Sequence, residues 1–372
     1  MNVSRRTLNK MVILLATVLI AITGLIGCQR QEEAQAAPGE PYIAVVSKGE
    51  QHDFWQQVRR GANAAATEFG IRISYEGPPS ESDVAIQVQM LNSAIAQRPI
   101  AVALASLDTN AVMDQLVSLQ SQGIPVVGFD SGVPNAPAGS IVANASTNNA
   151  VAAGLGAENM FNALRAEIEA ATPSAPIRIV VLNQDNRGES LLSRGRGFRD
   201  RMVELVINQT SKTAANIRVM GDPAFVDARN PQNANASVII EMVVPASASA
   251  TDSTAASQAV MSRAASDNIR GIFMSNEGTV GGLLSATNDG SDLQGTGIVA
   301  VGFDAGRAQK NAVRRGYFLG SVTQDPYQIG FQAVRLAFEA SKGNAVADVD
   351  TGAKFYTAAN MDQADIAPLL YD

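Results

Sequence analysis

The chain has 372 residues, 46% of them hydrophobic and 17% charged, with 28 basic against 35 acidic side chains and a formal charge of −7. That length accommodates two domains with separate cores, and the composition excludes a disordered chain. The acidic balance argues against nucleic acid as a partner, because phosphate neutralisation needs a basic face. A single cysteine excludes an internal disulfide, so the fold must rest on its cores.

Arg5, Arg6 and Lys10 make a basic start, and Met11 to Ile22 is an apolar run too short for a spanning helix but suited to a secretory segment. Leu25-Ile-Gly-Cys28 follows and resembles the bacterial lipobox, in which the cysteine is lipidated and becomes the mature N-terminus. Residues 1–28 are therefore expected to be a lipoprotein signal peptide, with Cys28 as the lipidated residue. Removing residues 1–27 takes away three basic and no acidic side chains, leaving 25 against 35 and a charge of −10. Ser4-Arg-Arg-Thr-Leu-Asn-Lys10 is also similar to a twin-arginine export signal, an alternative to an ordinary basic start. Residues 29–41 are polar and punctuated by Pro and Gly, the composition of a flexible tether.

From Tyr42 strands and helices alternate. Tyr42 to Ser47 reads as a strand, and Phe54 to Phe69 as a helix capped by Asp53, with Phe54, Val58, Ala62, Ala65 and Phe69 at helical spacing. Then come strand Ile71 to Glu76, helix Glu81 to Arg98 opened by Ser80, strand Ile100 to Ala105, helix Thr109 to Gln122 closed by Gly123, and strand Val126 to Phe129. A short extended piece at Ser140 to Ala143 precedes helix Asn149 to Ala170, strand Ile177 to Leu182 and helix Leu191 to Ile207. Val238 to Val244 is the next strand candidate, which makes residues 208–237 an insertion and Ala246 to Ser253 a Ser/Ala loop. Strand Ile269 to Met274, helix Thr279 to Ala286, strand Ile298 to Phe303, helix Ala308 to Arg315, strand Phe318 to Thr323, helix Tyr327 to Lys342 and strand Ala353 to Thr357 complete the series. Such alternation predicts an α/β fold with doubly wound parallel sheets.

Val127-Gly-Phe-Asp130 recurs as Val301-Gly-Phe-Asp304, each time ending an apolar strand. A strand buried on both faces exposes its first polar side chain at the carboxyl edge of the sheet, here an aspartate in both halves. Two lobes facing each other across a cleft would present one carboxylate each. His52 and Trp55, with Phe54 between them, fall in the loop after the first strand and the opening turn of the next helix, at the same kind of edge. An aromatic face packs against the C–H face of a sugar, while hydroxyls need fixed donors and acceptors. Phe54 and Trp55 could instead be core residues and His52 a solvated one.

Catalysis has little support. The chain has one histidine, and its cysteine is assigned to lipid; no Gly-x-Ser-x-Gly elbow, phosphate-binding Gly-x-x-x-x-Gly-Lys loop or His-Glu-x-x-His run is present. A His/Cys metal site is excluded, and no dense carboxylate cluster suggests calcium. No cofactor and no enzyme activity are expected.

Ile43-Ala-Val-Val-Ser-Lys-Gly-Glu-Gln-His-Asp-Phe-Trp55, Gly61-Ala62, Pro125-Val-Val-Gly-Phe-Asp130, Gly195-Arg-Gly-Phe198, Ile272-Phe-Met-Ser-Asn-Glu277, Val301-Gly-Phe-Asp304 and Thr323-Gln-Asp-Pro-Tyr-Gln-Ile-Gly330, in this order, resemble the periplasmic ribose-binding-protein family, the type I sugar receptors of ABC transporters. The likeness runs from Tyr42 to Asp372 outside the expected insertion. It implies two α/β lobes joined by three hinge segments, with residues 42–147 plus 325–350 in the N-terminal lobe and 148–324 plus 351–372 in the C-terminal lobe. It implies a ligand held between them by His52, Phe54, Trp55, Asp130, Asn276 and Asp304, with Gln324 at a hinge. Ser131 and Leu192 stand where the ribose receptor has arginines. Arg194, two residues on, either replaces the second or is a structural arginine. Lys48 is read as a solvated loop residue rather than a ligand.

These departures argue against ribose itself and leave other monosaccharides and polyols open. The resemblance implies a monomeric, lipid-anchored receptor at the bacterial cell envelope that delivers a small neutral carbohydrate to an ABC transporter permease. A sensor feeding a membrane histidine kinase or chemoreceptor would have the same cleft and a different partner surface. A lactose-repressor-type regulator shares the fold, but the lipobox stands where its DNA-binding helices would be.

Overall fold

The computed structural model describes residues 41–371. The expected signal peptide, the expected lipidation at Cys28 and the expected tether up to residue 40 lie outside the described residues. The first sheet gathers β1 (Tyr42–Val46), β2 (Arg72–Glu76), β3 (Ala101–Leu104), β4 (Val126–Phe129), β5 (Ile141–Ser146) and β12 (Val349–Asp350) in the order β12-β5-β4-β3-β1-β2. All its pairings are parallel. The second gathers β6 (Ile177–Leu182), β7 (Ile217–Gly221), β8 (Val238–Val243), β9 (Ile269–Met274), β10 (Val299–Phe303), β11 (Gly320–Gln324) and β13 (Ala353–Tyr356) in the order β13-β11-β10-β9-β6-β8-β7. Only β13, at its edge, runs antiparallel.

Alternate strand residues enter different cores, as a sheet covered on both faces requires. In the first lobe Ile43, Val45, Val127 and Phe129 pack with α1 (Asp53–Phe69) and α9 (Pro326–Ser341). Tyr42, Ala44, Val46 and Val126 face α2 (Val84–Ala96) and α3 (Met113–Ser121). In the second lobe Ile179, Val181, Phe273 and Val301 pack with α4 (Asn149–Ala170) and α5 (Glu189–Gln209). Val180, Leu182, Ile272 and Ala300 face the side of α6 (Ala250–Ser262), α7 (Glu277–Ala286) and α8 (Arg307–Arg314).

The chain passes between the sheets three times: from β5 to α4, from β11 to α9, and from β12 to β13. The two-lobed α/β fold expected from the sequence is therefore what the chain adopts.

Several local expectations need correction. Residues 208–237 are not a free insertion: β7 pairs in register with β8 from Ile217–Val238 to Gly221–Met242. A five-residue edge strand with alternating burial carries too weak a hydrophobic signal to be read alone. Residues 246–253 are not wholly loop either, since α6 starts at Ala250, capped by the Ser249 side chain, which accepts from Asp252 N–H. Its buried face is small, Ser253, Ser257 and Val260, because a Gly282 Cβ would collide with Ser253. Helix α1 is capped at His52 rather than Asp53, without a side-chain capping bond. Helix α2 opens at Val84, because Ser80 and Ser82 bond each other in a turn that leaves Glu81 outside the helix.

Helix α9 returns to the first lobe through two bare positions. A Cβ at Gly61 would strike the Tyr327 carbonyl, and one at Gly330 would strike the Val58 carbonyl. Gly61→Ala and Gly330→Ala are each expected to destabilise the protein by about 1–3 kcal/mol through overpacking. Urea unfolding midpoints measure this, and unchanged midpoints would contradict so close a helix crossing.

Candidate functional site

Both sheets reverse their strand order at a switch point, between β1 and β3 in the first and between β6 and β9 in the second. Ligands in open α/β sheets bind beyond the carboxyl ends of the strands at such points. Lys48 to Trp55 follow β1, Asp130 follows β4, Gln184 follows β6, Asn276 and Glu277 follow β9, and Asp304 follows β10. The repeated tetrapeptide repeats its backbone as well: Asp130 and Asp304 both take positive φ, 52° and 78°. Left-handed backbone at a non-glycine residue costs free energy and recurs at functional sites.

All eight residues named from the sequence, His52, Phe54, Trp55, Asp130, Arg194, Asn276, Asp304 and Gln324, line one cavity between the lobes. Lys48, Glu81, Leu191 and Glu277 line it with them. The free space enclosed is about 20 Å³, room for about one water. Any guest larger than a water therefore enters only as side chains or lobes move apart.

Phe54 and Trp55 meet edge to face, with ring centroids 4.9 Å apart. Both are buried and belong to the core of their lobe as well as to the cavity wall. Trp55 Nε1 donates to Glu81 Oε1 at 2.7 Å. His52, half-buried, lies within 2.9 Å of the Gln51 amide through Nε2. Asp304 accepts from Gln324 Nε2 at 2.7 Å and from the Glu277 backbone N–H at 3.0 Å. Gln324 in turn accepts from Thr147 Oγ1 at 2.8 Å, so it joins two of the crossing segments. Asn276 caps α7, accepting from Thr279 N–H at 3.1 Å, while its amide nitrogen donates to Gln184 Oε1 at 2.7 Å.

Arg194 is fixed to the scaffold and also lines the cavity. Its Nε donates to Asn149 at 2.8 Å and its Nη1 to the Ser275 carbonyl at 3.1 Å, which fixes it to the scaffold. The guanidinium lies 3.8 Å from the Phe303 ring centroid and 3.9 Å from Asp304 Oδ2, facing the cavity. Phe129 and Phe303 themselves are fully buried beneath the site. Leu192 is elsewhere, on the outer groove beside Ala150 and Arg196.

Lys48 is not a solvated loop residue. It is 4% exposed, 3.6 Å from Asp130 Oδ2, and donates to Ser190 of the opposite lobe at 3.3 Å. Burial works against its charge, but the carboxylates of Glu81, Asp130 and Asp185 outweigh burial and raise its pKa. Glu81 and Glu277 are site residues that the sequence alone does not reveal. Glu81 sits in a Pro/Ser turn with no motif to mark it, and its one legible signal is its position after β2. Burial pulls the Glu81 pKa upward, yet Lys48 and the bonds from Trp55 and Gln184 bring it below the ordinary value. Glu277 directly follows Asn276, and that adjacency is the signal that could have found it.

Charge pairing in the cavity is uneven. Asp130 faces Lys48 and Asp304 faces Arg194, whereas Glu277 accepts from backbone, the N–H groups of Phe54, at 3.4 Å, and Asp53. Burial first, then the Asp304 and Asp53 carboxylates, push its pKa up to about 8.

A family model described as a periplasmic binding protein domain matches residues 43–345. A structure described as an ABC transporter, LacI family transcriptional regulator from Brachyspira murdochii is 38% identical, with a TM-score of 0.72, covering 90% of this chain and 100% of that one. An ABC transporter solute-binding protein from Agrobacterium vitis with bound D-fucose is 25% identical, with a TM-score of 0.71, covering 89% and 100%. The D-allose-binding periplasmic protein of Escherichia coli (strain K12) is 21% identical over 318 residues, 84% of this chain and 88% of that protein.

The raised Glu277 pKa has a definite sign. Between pH 4.5 and about 8 the folded protein keeps a proton here that the unfolded chain has lost, so this group's contribution to stability falls as pH rises through that window. Glu277→Gln removes the penalty. Measured by urea unfolding, the variant is expected to gain stability relative to the parent from pH 5 to pH 8; a difference constant with pH would contradict the assignment.

Proposed function

The chain belongs to the periplasmic binding protein domain family, and from that premise we propose that it is an exported, lipid-anchored receptor for a monosaccharide or related neutral polyol, which it delivers to an ABC transporter permease. The observation that carries this reading is the pair Asp130 and Asp304. One from each lobe, in the same strained backbone, they line a single cavity with Phe54, Trp55, Asn276 and Gln324. A carboxylate accepts from two hydroxyls, and an amide both donates and accepts, so these groups suit a polyol sealed from water. Rings at the cavity wall suit the apolar face of a sugar.

The mechanism is closure. With the lobes apart the strand ends are hydrated; a ligand that touches both lobes shifts the population toward the closed form. Its hydroxyls take over the bond between Gln324 and Asp304 and the contact between Lys48 and Asp130 in the small cavity. Exchange of one hydrogen bond for another costs little, so affinity comes from the surplus of charge-assisted bonds and ring burial. The closed lobes then present a joint surface for a permease to recognise. Anchoring rests on Leu25-Ile-Gly-Cys28.

A thermal-shift panel of neutral monosaccharides and polyols, including D-allose, D-fucose and D-arabinose, tests the ligand class. A true ligand at a hundredfold its Kd adds about 2.7 kcal/mol of stability; no response from any of them would overturn the carbohydrate assignment. By isothermal titration, Asp130→Ala and Asp304→Ala should each weaken binding by about 2–5 kcal/mol, the cost of truncating one partner of a buried charged pair. Unchanged affinity in either variant would remove that aspartate from the site.

A further inference from the structure

Glu81 gives one carboxylate oxygen to each lobe. Its Oε1 accepts from Trp55 Nε1 at 2.7 Å, within the first lobe, and its Oε2 accepts from Gln184 Nε2 at 2.5 Å, across the cleft. Gln184 Oε1 accepts from Asn276 Nδ2 at 2.7 Å, and Asn276 Oδ1 caps α7. The four side chains are each at most 6% exposed, so none of these bonds competes with bulk water in the closed form. Their polarity is fixed from one end. An indole N–H only donates and an ionised carboxylate only accepts, so Gln184 must turn its NH2 to Glu81 and its oxygen to Asn276. Lys48 keeps Glu81 ionised by lowering its pKa. Gly278 leaves room for the arrangement, because a Cβ there would strike Gln184 Oε1.

We propose that Glu81 is a positioning residue that couples closure of the lobes to the orientation of the Trp55 ring, acting through Gln184 and Asn276. Closure brings the Gln184 amide to Glu81, which then holds the indole at the wall of the cavity. A ligand contacting Trp55 in one lobe and Asn276 in the other stabilises both ends of the same chain of bonds. The ligand end of this inference rests on the carbohydrate reading; the chain of bonds itself does not.

The test is an exchange of the two side chains. In Glu81→Gln an amide with a single acceptor oxygen must serve two donors, so one N–H is left facing another. In Gln184→Glu two carboxylates meet. In the double variant, Glu81→Gln with Gln184→Glu, the new amide accepts from Trp55 and donates to the new carboxylate. That carboxylate in turn accepts from Asn276, so every bond is restored, the one between positions 81 and 184 with its direction reversed. Trp55 is the only tryptophan, so its emission reports the latch without a ligand.

Both single variants are expected to red-shift that emission, raise its quenching by acrylamide and speed dissociation of the best carbohydrate from the panel at least tenfold. The exchanged pair should recover most of each change. A double variant no better than the worse single, or singles with unchanged emission and quenching, would overturn the proposal. If no carbohydrate binds, the emission and quenching still decide it, and the sugar reading falls alone. Should Glu81→Gln fail to fold, Gly278→Ala displaces Gln184 while keeping all four side chains, and the same shift in emission is expected.

Discussion

Charge buried between the lobes is the constraint on which the rest depends. Lys48 and Arg194 share the cavity with Glu81, Asp130, Glu277 and Asp304, and an ionised group out of water is costly unless it is paired and hydrogen-bonded. In the closed form the cavity meets that demand from within. Lys48 faces Asp130, Arg194 faces Asp304, Gln324 and a backbone N–H fill the Asp304 carboxylate, and Trp55 with Gln184 fills Glu81. Glu277 has only backbone N–H groups as partners there, and burial with the Asp304 carboxylate pushes its pKa up to about 8, which favours the neutral acid. A polyol can substitute for these mutual bonds because its hydroxyls both donate and accept, whereas an apolar guest would leave the charges unsatisfied.

The fold makes this arrangement possible by placing two parallel sheets with their carboxyl ends toward one gap. Each sheet turns at a switch point, and the loops leaving those strands carry nearly all the polar side chains of the site. The same tetrapeptide closes β4 and β10 with the same left-handed aspartate, so the two lobes offer equivalent carboxylates by equivalent local structure. Gln324 and Thr147 join two crossing segments beside the cavity, which puts a cavity-facing amide where the chain passes between the lobes.

Much of this was legible in the sequence, and the reasons are local. Strands such as Ile177–Leu182 and helices such as Asn149–Ala170 have long runs of the right apolar character and clear caps, and their bounds are those read from the chain. Asp130, Asp304, His52, Phe54, Trp55 and Asn276 sit one to nine positions after an apolar strand, where edge geometry alone marks them. What was lost had a different origin. The strand at 217–221 lies at an edge and is half-exposed, and the helix at 250–262 buries serine against glycine, so neither shows a strong hydrophobic period. Lys48 reads as solvated because its burial depends on three carboxylates brought from Glu81, Asp130 and Asp185, which no single segment reveals. Glu81 and Gln184 matter through a bond between residues 103 positions apart, which only the folded chain brings together.

The central claim is that one guest is held by both lobes at once. Hydrogen–deuterium exchange on the full chain, with and without a saturating amount of the carbohydrate giving the largest thermal shift, tests it most directly. Protection is expected together in residues 48–55 and 130–131 of one lobe and in residues 184–194, 275–277 and 304–305 of the other. Protection confined to a single lobe, or absent from both, would contradict it.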